Sequence, residues 1–186
     1  MTVKEKMHAG EPYVMADDPE LMKYQQECLD KLFEYNSLRP SETEKKAALL
    51  KEMFAEIGED CYIETPFHAN FGGAHVHFGK NVYANFNLTL VDDTHIYVGD
   101  YTMFGPNVTL ATAGHPVLPE LREKLYQFNL PIHIGRNCWI GADSTVTRDI
   151  PADVVAYGSP CRGARKISAR DKEFYSREKR IRVEER

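Results

Sequence analysis

Residues 76–146 read VHFGKNVYANFNLTLVDDTHIYVGDYTMFGPNVTLATAGHPVLPELREKLYQFNLPIHIGRNCWIGADSTV, and an apolar residue returns at every sixth position. Phe78, Ala84 and Leu90 make one run; after two extra residues Val98, Phe104 and Leu110 make the next. After a longer interruption Ile134, Ile140 and Val146 resume it. Two positions ahead runs a second row: Val76, Val82, Leu88, Ile96, Thr102, Val108, Ile132, Cys138 and Ser144. A helix repeats at 3.6 and a half-buried strand at two, so neither explains a period of six. A hexapeptide repeat does, and it predicts a parallel β-helix in which each unit is a short strand plus a corner. Gly follows Phe78, Val98, Phe104, Ile134 and Ile140, and Asn85 follows Ala84, where each corner is expected to need a conformation that Gly and Asn tolerate.

Working outward, the interruption 113–131 is polar and broken by Pro, and reads as a loop extruded from a corner. On the N-terminal side, residues 1–16 read as an irregular lead-in. Asp17-Asp18-Pro19 then starts an amphipathic helix carrying Leu21, Tyr24, Cys28, Leu32 and Tyr35 to about Asn36. Ser41-Glu42-Thr43-Glu44 reads as a capping box, and Ala47, Leu50, Phe54 and Ile57 take a second helix to Gly58. The expected organisation is a helical hairpin over 1–58, a β-helix over 59–161, and a basic helical tail over 162–186, with a helix from Ala169 to Arg182.

The chain has 186 residues, a net charge of −5, 27% charged and 42% apolar residues, which argues against nucleic acid as the main partner. The charge is uneven: residues 162–186 hold ten Lys or Arg against five Asp or Glu. That edge is either a solvated helix or a phosphate-binding surface. Cys28, Cys61, Cys138 and Cys161 show no metal-like spacing, and no signal segment precedes them, so they read as free thiols in a cytoplasmic protein. No apolar run is long enough to span a membrane.

Among residues able to do chemistry, His115 stands at the root of the loop in Gly114-His115-Pro116, where an imidazole can take a proton from a hydroxyl near neutral pH. Asn85 and Asp93 lie at corners of the polar, aromatic run YANFNLTLVDD, and both are residue types that corners favour for structural reasons. Trp139, the one tryptophan, falls on the outward side of a unit, facing either a ligand or a subunit. His75, His95 and His115 are spaced by twenty, which raises a three-His zinc site, although nothing in the spacing brings them together.

YANFNLTLVDD, GPNVTLATAGHPV, IGRNCWIGA, VTRDIP and AYGSPCR together resemble the galactoside/maltose O-acetyltransferases, a family of hexapeptide-repeat acyltransferases. EKMHAGEPYVMADDPELM resembles that family's N-terminal helical segment. The resemblance implies a left-handed β-helix, a homotrimer, and acetyl-CoA and a sugar meeting between subunits, with no metal. It further implies His115 as general base with Asn85 beside it, and Asp17, Asn70, Tyr83 and Asp93 around the acceptor sugar. On the donor side it implies Trp139 against the pantetheine arm and the backbone N–H groups of Gly105 and Ala142 at the thioester. Thr147, Arg148, Arg162 and Arg165 would lie at the adenosine-phosphate end. One departure is large. The family carries a whole coil between its W-I-G and T-[KR]-D-I-P units, whereas Trp139 and Thr147 are eight residues apart, so about eighteen residues are missing. Three readings follow: a sugar O-acetyltransferase, a family member silenced by a shortened donor site, and a metal enzyme.

Overall fold

Every row residue named above is buried, and the six-residue period appears as three strands per coil. The computed structural model describes residues 1–176 and 178–181. The first face stacks Glu56–Ile57, Val76–Phe78, Ile96–Val98 and Ile132–Ile134. The second stacks Tyr62–Ile63, Tyr83–Ala84, Met103–Phe104, Trp139–Ile140 and Val154–Tyr157, and the third His68–Ala69, Thr89–Val91, Thr109–Ala111 and Thr145–Val146. All these neighbours pair parallel and in register, for example Val76 with Ile96 and Ile132, and Ala84 with Phe104 and Ile140. The inward side chains fill one apolar bore, each worth about 1.5–3 kcal/mol when fully buried.

The glycines at the corners serve a different purpose from the one their position suggested. Gly79, Gly99, Gly105, Gly135 and Gly141 do not have positive φ; that conformation falls two residues later, at Asn81 (φ 54°), Tyr101 (59°), Asn107 (58°), Asn137 (52°) and Asp143 (58°). The glycines are there because the next coil passes too close for a side chain. A Cβ on Gly99 would lie 2.5 Å from the nitrogen of Arg136, and one on Gly135 2.3 Å from that of Ala152. Asn87 and Asn107 complete the left-handed corners and hydrogen bond to each other along the stack at 3.0 Å.

The third corner is longer, and the two extra residues are Asp92 and Asp93. Asp92 is wholly buried and accepts the N–H groups of Phe71 (2.8 Å) and Gly73 (2.9 Å). Its carboxylate therefore organises the irregular Gly72-Gly73 turn of the coil below. The loop 113–131 leaves from this same corner, out along Ala113–Gly114 and back along Phe128–Asn129 as an antiparallel pair, with a short helix Pro119–Glu123 between.

Both ends of the bore are closed. Helices α1 (Val3–Ala9), α2 (Pro19–Ser37) and α3 (Thr43–Met53) lie at the start. Leu32, Tyr35, Leu50, Met53 and Phe54 join the bore's own cluster, and the Tyr35 hydroxyl donates to Ile63 O at 2.7 Å. Helix α1 replaces the expected irregular lead-in: Thr2 and Glu5 form a capping box and Gly10 ends it with φ 78°. Helix α3 stops at Met53, short of Gly58, because Phe54 turns into the core and Glu56–Ile57 is already a strand. Its expected capping box is absent; Glu42 accepts Arg39 N instead.

The expected C-terminal helix is also corrected. Arg162–Lys166 forms a strand antiparallel to Val154–Tyr157 and covers the last coil's open edge. Beyond it come one 3₁₀ turn, Ala169–Lys172, and a strand pair, Phe174–Ser176 with Lys179–Arg180. The segment has no apolar stripe at helical spacing to bury, so an isolated helix has little to hold it, while strand backbone finds a ready edge. Residues 177 and 182–186 of the expected tail lie outside the described residues.

Close stacking makes a specific prediction. Gly99→Ala should lower stability by about 1–3 kcal/mol through overpacking, whereas Gly163→Ala, with nothing within 4 Å of its added Cβ, should change it by under about 0.5 kcal/mol. Urea denaturation of the two variants measures both values.

Candidate active site

The residues named from the sequence fall into two groups on different corners. At the third corner Asn70 donates through Nδ2 to Asp93 Oδ2 at 2.7 Å. Asp93 is only 6% exposed, and burial raises its pKa against the opposing pull of Asn70 and the charge of His115. His115 follows the outgoing loop strand, is exposed, and is tied through Nδ1 to the carbonyl oxygen of Tyr126 at 2.9 Å. A carbonyl only accepts, so Nδ1 carries the hydrogen and the neutral ring keeps its lone pair on Nε2.

The returning loop strand is fastened to the N-terminal segment. Tyr13 and Gln127 exchange two backbone hydrogen bonds of 2.9 Å each. The Tyr13 hydroxyl accepts from Gln127 Nε2 and from Asn129 Nδ2, and Asn129 Nδ2 also reaches Met7 O. Asp17 is exposed on the 3₁₀ turn Met15–Asp17 directly after this segment. Tyr13, Gln127 and Asn129 were not singled out from the sequence; their partners are more than a hundred residues apart, and no local motif marks them.

The second group lies on the second face and the corner after it. Tyr83, Met103, Trp139 and Val155 stand in one outward column, with Trp139 58% exposed. Asn85, Gly105 and Ala142 stack beside it at the corner. Asn85 uses its Oδ1 to accept Phe86 N at 2.8 Å. Between Asn85 and Asp93 lies a full strand of the third face, Thr89–Val91 with its flanking residues, a width of roughly 13 Å at about 3.3 Å per residue. Within one protomer Asn85 and His115 therefore stand on different corners.

Two donor-side residues are engaged within the protomer. The Gly105 N–H donates to Ile140 O at 2.8 Å as part of the stack. The absent side chain at Gly105 lets Ala142 N approach to 2.7 Å of where a Cβ would be. At the other end Arg165 forks onto Asp171 with bonds of 2.7 and 2.8 Å, which holds the Asp171 carboxyl well below the usual range. Its bidentate face is already taken. Arg162 gives one N–H to Cys161 O, and Thr147 and Arg148 are exposed on the third corner above the loop.

Comparison with known proteins places the whole arrangement. Residues 6–58 match the maltose acetyltransferase hexapeptide capping motif. A galactoside O-acetyltransferase of Lactococcus lactis is 47% identical over 198 aligned positions, covering 97% of this chain and 95% of that protein. The chain belongs to the galactoside/maltose O-acetyltransferase family. A galactoside acetyltransferase solved in complex with coenzyme A superposes with a TM-score of 0.87 at 39% identity, covering 98% of this chain and all of that one. A maltose O-acetyltransferase from Clostridium difficile gives 0.80 at 33%, covering 90% and 98%.

The ladder runs straight through the short segment between Trp139 and Thr147. The Lactococcus lactis alignment leaves about eighteen positions with no residue in this chain. Ile150 bridges directly to Ile134, Val155 pairs with Trp139, and Cys161 N bonds Thr145 O. The bore closes over a coil of sixteen residues, from Ile134 to Ile150.

The histidines spaced by twenty are divided. One coil of separation sets the rings of His75 and His95 5.8 Å apart, and His8 of helix α1 lies 4.8 Å from His75. His115 is carried off on the loop, and among the described residues no three His, Cys, Asp or Glu are grouped to hold a metal. Burial pushes His75 down to about 4, partly offset by the Asp92 carbonyl that its Nδ1 contacts, with His8, His95 and Lys4 adding repulsion.

That shift has a sign. Between about pH 6.5 and pH 4 the unfolded chain binds a proton at His75 that the folded chain refuses, so this residue removes stability as pH falls. Asp92, raised by burial to about 6, acts oppositely between about pH 4 and 6. His75→Gln removes only the first effect. Relative to the parent it should gain up to about 3 kcal/mol between pH 7 and pH 4.5, read from urea midpoints at the two pH values.

Proposed function

We propose that this protein transfers an acetyl group from acetyl-CoA to a hydroxyl of a sugar or glycoside. The observation that carries the reading is the His115 imidazole, tautomerically set by Tyr126 and standing at a corner with Asp93 and Asn70. In this reading Nε2 of His115 takes the proton of the acceptor hydroxyl while its oxygen attacks the thioester carbonyl. Coenzyme A leaves as the thiolate and the histidine gives its proton to that sulfur. No covalent enzyme intermediate is needed. Asp17, Asn70 and Asp93 orient the sugar. For the developing oxyanion we assign the Ala142 N–H, which has no hydrogen-bond partner among the described residues.

Two half-sites on separate corners make little sense in one protomer and good sense between two. The third corner of one copy, with Asp93, His115, Thr147 and Arg148, would face the second face of its neighbour, with Tyr83, Asn85 and Trp139. The half-exposed Met103 and Trp139 on that face fit a covered surface. We therefore propose a cyclic homotrimer of left-handed β-helices, the N-terminal helical segment capping each, with three intersubunit sites. Four free cysteines and the use of acetyl-CoA suit the cytoplasm.

A second reading, a family member with a weakened donor site, is favoured by the short stack and the Arg165–Asp171 pair. Adjacent coils are about 4.8 Å apart, so under this reading the nucleotide-end residues would sit about that much nearer His115 than in a relative with a further coil. Errors of this size matter, since a 1 Å misplacement can cost about a hundredfold in rate.

Two measurements decide between these readings. His115→Ala should remove nearly all acetyl transfer, at least about 10²-fold in kcat, while leaving the trimer intact by light scattering; parental turnover would remove His115 as the base. Calorimetry of the parent with coenzyme A should give saturable heat. None at millimolar ligand would favour the second reading.

A further inference from the structure

We infer that Tyr13 is a positioning residue for His115, acting through the returning strand of the extruded loop; the inference rests on His115 as the base. The imidazole has two supports. Its own backbone follows Ala113–Gly114, which pairs with Asn129 and Phe128, and its Nδ1 is anchored on the carbonyl of Tyr126. Both supports belong to one stretch, residues 126–129, which ends in the strand Phe128–Asn129. One edge of that stretch is held by the residues leading to His115, and the other edge by Tyr13.

Tyr13 grips this second edge with both main chain and side chain. Its backbone exchanges two hydrogen bonds with Gln127, the residue after the carbonyl that holds His115. Its hydroxyl takes the side-chain amides of Gln127 and Asn129, one on each side of Phe128. Tyr13 is 2% exposed and Asn129 fully buried, so water cannot replace the phenol oxygen. Burial, and to a lesser degree the nearby Asp93 carboxylate, raise the pKa of this phenol, which therefore stays neutral and able to serve both amides. The network also spans the acceptor side of the site, because Tyr13 precedes the turn that carries Asp17. A phenol here sets the strand's height relative to the bore. The strand sets the direction of Nε2.

Tyr13→Phe keeps the buried ring and removes only the oxygen. It should lower kcat about tenfold, with the sugar KM and the coenzyme A dissociation constant each within twofold of the parent. The decisive readout is a double-mutant cycle. Combined with His115→Ala, Tyr13→Phe should change the residual rate by less than twofold, because there is no imidazole left to aim. A merely structural role would lower both backgrounds by the same factor, and that result would overturn the inference. Gln127→Met, at a half-buried position, tests the same contact without touching the core and should lower kcat about threefold with the same KM pattern. Parental turnover in His115→Ala alone would overturn the base assignment and the inference with it. An inactive His115→Ala beside a fully active Tyr13→Phe would overturn the Tyr13 inference alone.

Discussion

The constraint on which the structure depends is the close parallel stacking of successive coils, backbone on backbone. Each coil donates N–H groups to the carbonyls of the next at 2.8–3.1 Å, as in Asn85 to Phe104 O, Gly105 to Ile140 O and Gly141 to Ala156 O. This spacing leaves no room for a Cβ where two corners superpose, and the residue after the buried row is accordingly Gly at five of nine positions. The same constraint occupies donors. The Gly105 N–H is taken up in the ladder, whereas the Ala142 N–H, one step off it, has no hydrogen-bond partner among the described residues.

Because the first two corners are fixed by the stack, variation is pushed to the third. There the chain carries two extra residues in one coil and the nineteen of segment 113–131 in the next. The buried Asp92 is the structural half of the insertion, tying down Gly73 and Phe71. Asp93, beside it, is turned toward Asn70 and the loop that bears His115. A rigid prism with one permissive edge thus concentrates its polar, perturbed groups on that edge. The opposite requirement, a broad apolar column of Tyr83, Met103 and Trp139, belongs to a face that carries no insertion at all.

The rows of Phe78, Leu90, Val98 and their partners were legible because a buried period of six has one simple geometric meaning. The galactoside/maltose family was legible because its motifs sit at corners, where backbone geometry restricts the choice of residue. Helix α1 was legible in principle, through Thr2 and Glu5, and was missed because a seven-residue helix has no periodicity to find. The C-terminal strand Arg162–Lys166 was not legible. Its sequence favours no element strongly, and an unpaired edge supplied by Val154–Tyr157 decided the outcome.

The sequence alone determined the number of rows, the composition of the bore and the place of the interruption. Each of these is a matter of counting along the chain, and covalent order fixes phase whatever the packing. Only the tertiary structure decided which named residues meet. It put His115 with Asp93 and Asn70, left Asn85 on another corner, paired Arg165 with Asp171, and brought Tyr13 against Gln127 and Asn129. The physical reason is that a coil of sixteen to twenty residues closes a distance the sequence leaves open. Contacts across the stack therefore depend on coil length and corner shape, whereas the row itself depends only on period.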